Sequence, residues 1–246
     1  ACNTWDSTKE VCTSEDQSAV VGTNEGFVHV INTSNGVEQL AFMPQELLPN
    51  IEALRQNAAS SLKPRKYGMD NTVSLWVNDA NNNGVIYGGF DPKTKASISG
   101  LNSGEHVYAY ATMGRGGRNI YALDITDRSA PKALWEIKGG STAGFERLGQ
   151  TWSVPARTKI KIGSKVTDVL IFGGGYDATQ DDAAIRKVDS VGNAIYIVNA
   201  RTGALIWSAS PDAGGTGAHA TLSQMKYSIP SSVRVIDLQV DAGGTL

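Results

Sequence analysis

The sequence predicts an all-β chain, a β-propeller of which about half is present, with one inserted helix. Three observations predict it. A strand of alternating apolar residues, a turn carrying Asp or Asn, and a second strand occur three times. Glycine is abundant, at 27 of 246 residues, as a fold of many tight turns requires. Further short strand-like runs lie between these repeats, and a single stretch has helical spacing. A hairpin recurring along one chain points to a radial repeat. Such a fold is a scaffold, so function lies in what the repeats carry between them.

Residues 1–18 read as a polar leader containing both cysteines, Cys2 and Cys12. These are either free thiols at a frayed terminus or a disulfide closing a short loop in an oxidising compartment; the disulfide is the reading adopted. Propeller blades are expected over 19–246. The first hairpin spans 26–42 and turns at Asn35-Gly36. From 44 to about 62, Leu47, Leu48, Ile51, Leu54 and Ala58 recur at helical spacing, with Pro49 tolerable only near a helix start. Strand pattern returns over 67–77, with Val73, Leu75 and Val77 on one face and Trp76 on the other. It continues in 85–87 and in 106–112 (HVYAYAT). The second hairpin occupies 119–136. Residues 150–155, 157–162 and 166–172 read as strands, and the third hairpin spans 193–208. The repeats lie roughly 75 to 90 residues apart, so about two blades of ~40 residues are expected in each interval. The chain stops in mid-motif, which predicts a domain cut before its propeller closes.

Charge is nearly balanced, 22 basic against 24 acidic residues, with no Lys/Arg run; nothing argues for a nucleic-acid partner. No apolar run approaches the ~20 residues of a membrane-spanning helix, so no transmembrane segment is expected, and no signal-peptide pattern opens the chain.

Two loops have the chemistry of a cation site. In 79–86 (DANNNGVI), side-chain oxygens stand at alternate positions, Asp79, Asn81 and Asn83. Gly84 follows, and the Val85 carbonyl falls at the seventh position. That is the first half of a calcium loop, without a Glu at the twelfth position; a plain Asn-rich turn is the competing reading. In 237–245, Asp237, Gln239, Asp241, the Gly243 carbonyl and Thr245 alternate in the same way, with no Gly after the third. A third acidic loop, 177–182, fits no metal spacing and reads as solvated. The 114–118 turn (GRGGR) leads into a strand, not a helix, so it is no phosphate cradle. His29, His106 and His219 are far apart, and no nucleophile motif is present; no catalytic residue is assigned.

The phrases 21–26 (VGTNEG), 42–44 (FMP), 67–70 (YGMD), 113–118 (MGRGGR), 121–127 (YALDITD), 148–153 (LGQTWS), 172–177 (FGGGYD) and 227–231 (YSIPS) share an order with a known family. From about residue 19 to the end, the chain resembles the C-terminal propeller of the PilC/PilY family of type IV pilus proteins. The resemblance implies a modified β-propeller and a pilus-associated location at the bacterial surface, reached through the periplasm and outer membrane. It implies roles in pilus biogenesis, twitching motility and adhesion. It implies as partners type IV pilus subunits or minor pilins, and a host-cell or abiotic surface. It also implies calcium at the loop after the Ser-Ile-Pro-Ser segment, which places Ca²⁺ first at 237–245 and makes 79–85 the second candidate. The sequence departs from the family's acidic pattern at Gln239 and Thr245.

A non-enzymatic, calcium-binding surface module is therefore the expected function. Two alternatives stand beside it. The 121–124 (YALD) and 202–207 (TGALIW) phrases also occur in quinoprotein dehydrogenases, which need about eight blades. A propeller scaffold for outer-membrane protein assembly would need no metal.

Overall fold

A computed structural model describes residues 2–57, 65–101, 104–212 and 218–236. Sixteen strands follow in order: β1 Cys2–Asp6, β2 Val11–Glu15, β3 Ser18–Gly22, β4 Val28–Asn32, β5 Glu38–Phe42, β6 Ser74–Asn78, β7 Tyr87–Asp91, β8 Ala96–Leu101, β9 His106–Thr112, β10 Ile120–Asp124, β11 Lys132–Ile137, β12 Ala156–Ile162, β13 Lys165–Gly173, β14 Ile195–Asn199, β15 Leu205–Ser210 and β16 Ala218–Thr221. The single α-helix among the described residues, α1, is Ile51–Gln56.

Among the described residues, three of the four sheets each contain one of the repeated hairpins: β3-β4-β5, β11-β10-β9-β6 and β12-β13-β14-β15-β16. The chain is all-β, in the form of a partial propeller. The hairpins match in detail. Each carries one register shift in the middle of its pairing, at Val30/Ile31, Ala122/Leu123 and Ile197/Val198. In the first and third, an Asn closes the turn through its own backbone. Gly36 N–H donates to Asn32 O and Gly203 N–H to Asn199 O, both at 2.9 Å. The two glycines have φ of +72° and +70°, the left-handed region that favours glycine.

The blade count differs from the two expected per interval. One blade occupies each interval, because the strands read as belonging to intervening blades complete the neighbouring hairpin instead. β6 pairs with β9, and β13 pairs with β14. The rest of the first interval is the helix and an inserted pair, β7 and β8. That pair joins a sheet of order β2-β1-β7-β8. The polar leader is thus a hairpin that extends a sheet, with Cys2 and Cys12 joined by a disulfide (Cα–Cα 5.8 Å). Trp5 stacks on Phe90 at 5.2 Å across this junction.

The helix is shorter than 44–62. A 3-10 turn, Gln45–Asn50, contains Pro49, whose ring supplies no amide donor, and α1 follows. Asn57 ends it at φ +45°; residues 58–62 lie outside the described residues. Leu47 and Leu54 are buried, whereas Leu48 and Ile51 face solvent. Residues 150–155 are not a strand. Thr151 and Ser153 use their side chains on neighbouring backbones: Met113 N–H donates to Thr151 Oγ1 and Gly173 N–H to Ser153 Oγ, each at 2.9 Å. A segment bonded through its hydroxyls forms a strap between blades.

The core runs between blades. One cluster joins Trp76, Tyr110, Ile120 and Ile137 of the second blade to Leu170, Phe172, Tyr196 and Val198 of the third. Two smaller clusters join Val28 and Val30 of the first blade to Ala109, Ala111, Tyr121 and Leu123 of the second. On β6 the buried face carries Trp76; Leu75 and Val77 remain largely exposed. No described helix is long and apolar enough to cross a membrane.

Candidate functional site

The first-ranked loop, Asp237, Gln239, Asp241, Gly243 and Thr245, lies outside the described residues. The second, Asp79, Asn81, Asn83 and Val85, forms the connection from β6 to β7. Its backbone is coiled inward by its own side chains. Asn83 N–H donates to Asp79 Oδ1 at 3.1 Å and to Asn81 Oδ1 at 2.9 Å. Gly84 N–H donates to Asp79 Oδ2 at 2.7 Å, and Val85 N–H donates to Asn83 Oδ1 at 2.8 Å. Asn82 and Gly84 take positive φ, +54° and +79°, which lets the chain reverse within these few residues. Each accepting oxygen retains a further lone pair, since amide and carboxylate oxygens accept more than one bond.

Two acids missing from the sequence reading converge on this loop. Asp91, at the end of β7, accepts from Asn83 Nδ2 at 3.0 Å. Burial opposes ionisation of Asp91, but hydrogen bonds from Asn83, Lys93 and Thr94 outweigh it and hold the carboxyl below its usual range. Glu105, just before β9, lies with Oε1 3.4 Å from Asn81 N–H. Glu105 is 3% exposed, and its Oε2 has no hydrogen-bond partner among the described residues. Asn78 Nδ2 donates to Gly104 O at 2.8 Å, holding the start of β9 against the loop. Lys93 Nζ, on the exposed side, donates to Asn81 O at 2.9 Å. Among the described residues, no three His, Cys, Asp or Glu side chains are placed to hold one ion by themselves. Any cage here needs the Asn oxygens and backbone carbonyls as well. Nothing in the local spacing of 79–86 marks Glu105 as a member; the available signal was an acid immediately before a strongly apolar strand.

The 177–182 loop is exposed at Ala178, Thr179, Asp181 and Asp182, as its composition suggests, but its first residue is buried. Asp177 is 1% exposed and anchors the loop to Thr179 and Ser190. The 114–118 turn packs on 67–70: Arg115 N–H donates to Asp70 Oδ1 at 2.7 Å, and a Cβ at Gly116 would lie 1.8 Å from Gly68 O. His106 is a sheet residue, edge-on to Trp76 at 4.3 Å. Burial and the Arg201 guanidinium lower its pKa.

Comparison with known proteins follows the sequence resemblance. Over 169 residues, 69% of the chain, it is 28% identical to the type IV pilus biogenesis factor PilY1 of Pseudomonas aeruginosa. Over 166 residues, 67% of the chain, it is 28% identical to a PilY1 homolog of Xylella fastidiosa. The match spans 12% and 11% of those relatives' own lengths. Among solved structures, the C-terminal domain of Pseudomonas aeruginosa PilY1 aligns with a TM-score of 0.45 at 20% identity, covering 77% of this chain and 30% of that one. No protein-family model matches the chain. The curated relatives bear out the resemblance drawn from the motifs.

Proposed function

We propose that this chain, a relative of the PilC/PilY proteins, is the propeller segment of a type IV pilus biogenesis factor and acts as a non-enzymatic module at the bacterial surface. The observation that carries the proposal is the match to proteins named for pilus biogenesis over about two thirds of the chain. The relatives' names describe an assembly factor, which supports a binding role over turnover. The interblade core supports the same reading: it is filled by aromatic and aliphatic side chains, as a scaffold requires. On this proposal the partners are pilus subunits or minor pilins. Adhesion to a host-cell or abiotic surface and twitching motility follow from the pilus. Calcium at Asp237, Gln239, Asp241, Gly243 and Thr245 belongs to the same proposal. It rests on the motif resemblance and on alternate-oxygen spacing.

The test is genetic. A strain whose copy of the gene lacks this segment, with the remaining protein verified by immunoblot, is expected to show at least about tenfold fewer sheared surface pili. Complementation in trans with the whole gene restores them. Normal piliation in the deleted strain would overturn the proposal.

A further inference from the structure

We propose that the 79–85 loop together with Glu105 is a second calcium site, in which Glu105 supplies the acidic ligand that the loop's own spacing lacks. The inference rests on the geometry of these residues and is independent of the pilus reading.

Glu105 carries the case. A carboxylate taken out of water needs a partner for both oxygens, because desolvation without compensation strongly disfavours its charge. Glu105 is 3% exposed, and among the described residues only Oε1 has a hydrogen-bond partner, the Asn81 amide at 3.4 Å. Oε2 has none among the described residues. The Lys93 ammonium lies on the Asn81 carbonyl on the exposed side and does not pair with Glu105. Glu105 meets this loop at the Asn81 amide, and the calcium-loop pattern requires an acidic ligand from beyond the alternate oxygens of Asp79, Asn81 and Asn83.

The donor set selects the ion. Carboxylate, amide and carbonyl oxygens suit a hard cation, and no thiolate or imidazole joins them. A flexible loop with many protein oxygens suits calcium; magnesium keeps several waters in a strict octahedron. Asp91 supports the site from behind. By accepting from Asn83 Nδ2 it turns the Asn83 amide so that Oδ1 faces into the loop. With Asp79 and Glu105 as the two charged ligands, affinity belongs at the weak end of the range, ~10⁻⁴–10⁻³ M, as in extracellular modules. Such an ion would tie the loop between β6 and β7 to the start of β9. It would thereby join the second blade to the disulfide-closed sheet.

The experiment uses the whole chain in an Asp237→Ala background, which silences the terminal loop. Calcium at about 10 mM is expected to raise the melting temperature above its value in EDTA by about 3 °C or more. Adding Glu105→Gln should abolish that rise while leaving the melting temperature in EDTA equal or higher, since an unpartnered carboxylate has been removed. Asp79→Asn, a milder second variant, should weaken terbium binding, followed by tryptophan-sensitised luminescence, at least about tenfold. The proposal is overturned if Asp237→Ala shows no calcium response. It is equally overturned if the response survives Glu105→Gln, if Asp79→Asn leaves terbium affinity unchanged, or if magnesium stabilises as well as calcium. None of these readings depends on piliation.

Discussion

At the scale of single residues, acids in this chain act as joints. Asp177 shows how far the backbone will go to keep a buried carboxylate charged. Thr179 N–H donates to Oδ1 at 3.0 Å; Ser190 donates to Oδ2 from its backbone at 2.7 Å and from its hydroxyl at 2.9 Å. Burial alone would push the carboxyl up. The hydrogen bonds from Thr179 and Ser190 overcome it and hold the pKa at about 2. A carboxylate whose folded pKa lies below its unfolded value of about 3.9 contributes stability above that value. The contribution is lost as pH falls through the folded one. The effect is worth about 2 kcal/mol. Asp177→Asn is therefore expected to lower stability at pH 7 by about 2 kcal/mol and to flatten the dependence between about pH 4 and pH 2. Urea titrations across that window test this; an unchanged slope in the variant would refute it. Glu105 is also buried, and its Oε2 has no hydrogen-bond partner among the described residues.

At the scale of elements, the hairpins are local objects placed in unlike surroundings. The turns at Gly36 and Gly203 are near copies, at φ +72° and +70°. A Cβ at Gly36 would meet nothing within 4 Å, whereas one at Gly203 would lie 2.8 Å from Trp135 Cδ2 in the second blade. Gly36→Ala should cost only the left-handed backbone penalty, about 1–2 kcal/mol. Gly203→Ala should cost at least about 1 kcal/mol more, because Trp135 must move. Denaturant midpoints of the two variants give the difference directly, and equal losses would show that Trp135 yields freely. These turns were legible in the sequence because each needs only an Asn, a Gly and flanking alternation. The helix was legible in type but not in length, since Pro49 converts its first half to a 3-10 turn. The 150–155 run misled because its sheet pairing is confined to the single Gln150–Tyr176 bridge, beyond which the Thr151 and Ser153 hydroxyls tie it to neighbouring backbones.

At the scale of the whole molecule, the blades share their cores. The Tyr110 hydroxyl and Trp135 Nε1 of the second blade both donate to Ala200 O of the third, at 3.0 and 3.1 Å. Tyr110, Leu170, Phe172 and Tyr196 lie in one buried cluster. Unfolding one blade would therefore expose its neighbour. Native-state hydrogen exchange is expected to give strands β9 and β14 a common opening free energy. Tyr110→Phe should lower it in both by about 1 kcal/mol, the worth of one buried hydrogen bond. A loss confined to β9 would show that the blades open separately.

Taken alone, the sequence determined what is written in neighbouring residues: three hairpins, the glycine-rich corners, the oxygen-bearing loop at 79–85 and the pilus-family phrases. Tertiary structure alone decided which edges meet. It put the cysteine-bearing hairpin beside β7, assigned β6 and β13 to the hairpin blades, and brought Glu105 to a loop more than twenty residues away. The reason is physical. Alternation records which side chains face inward, but every strand edge offers the same amides and carbonyls, so pairing depends on shape and burial that no local pattern encodes.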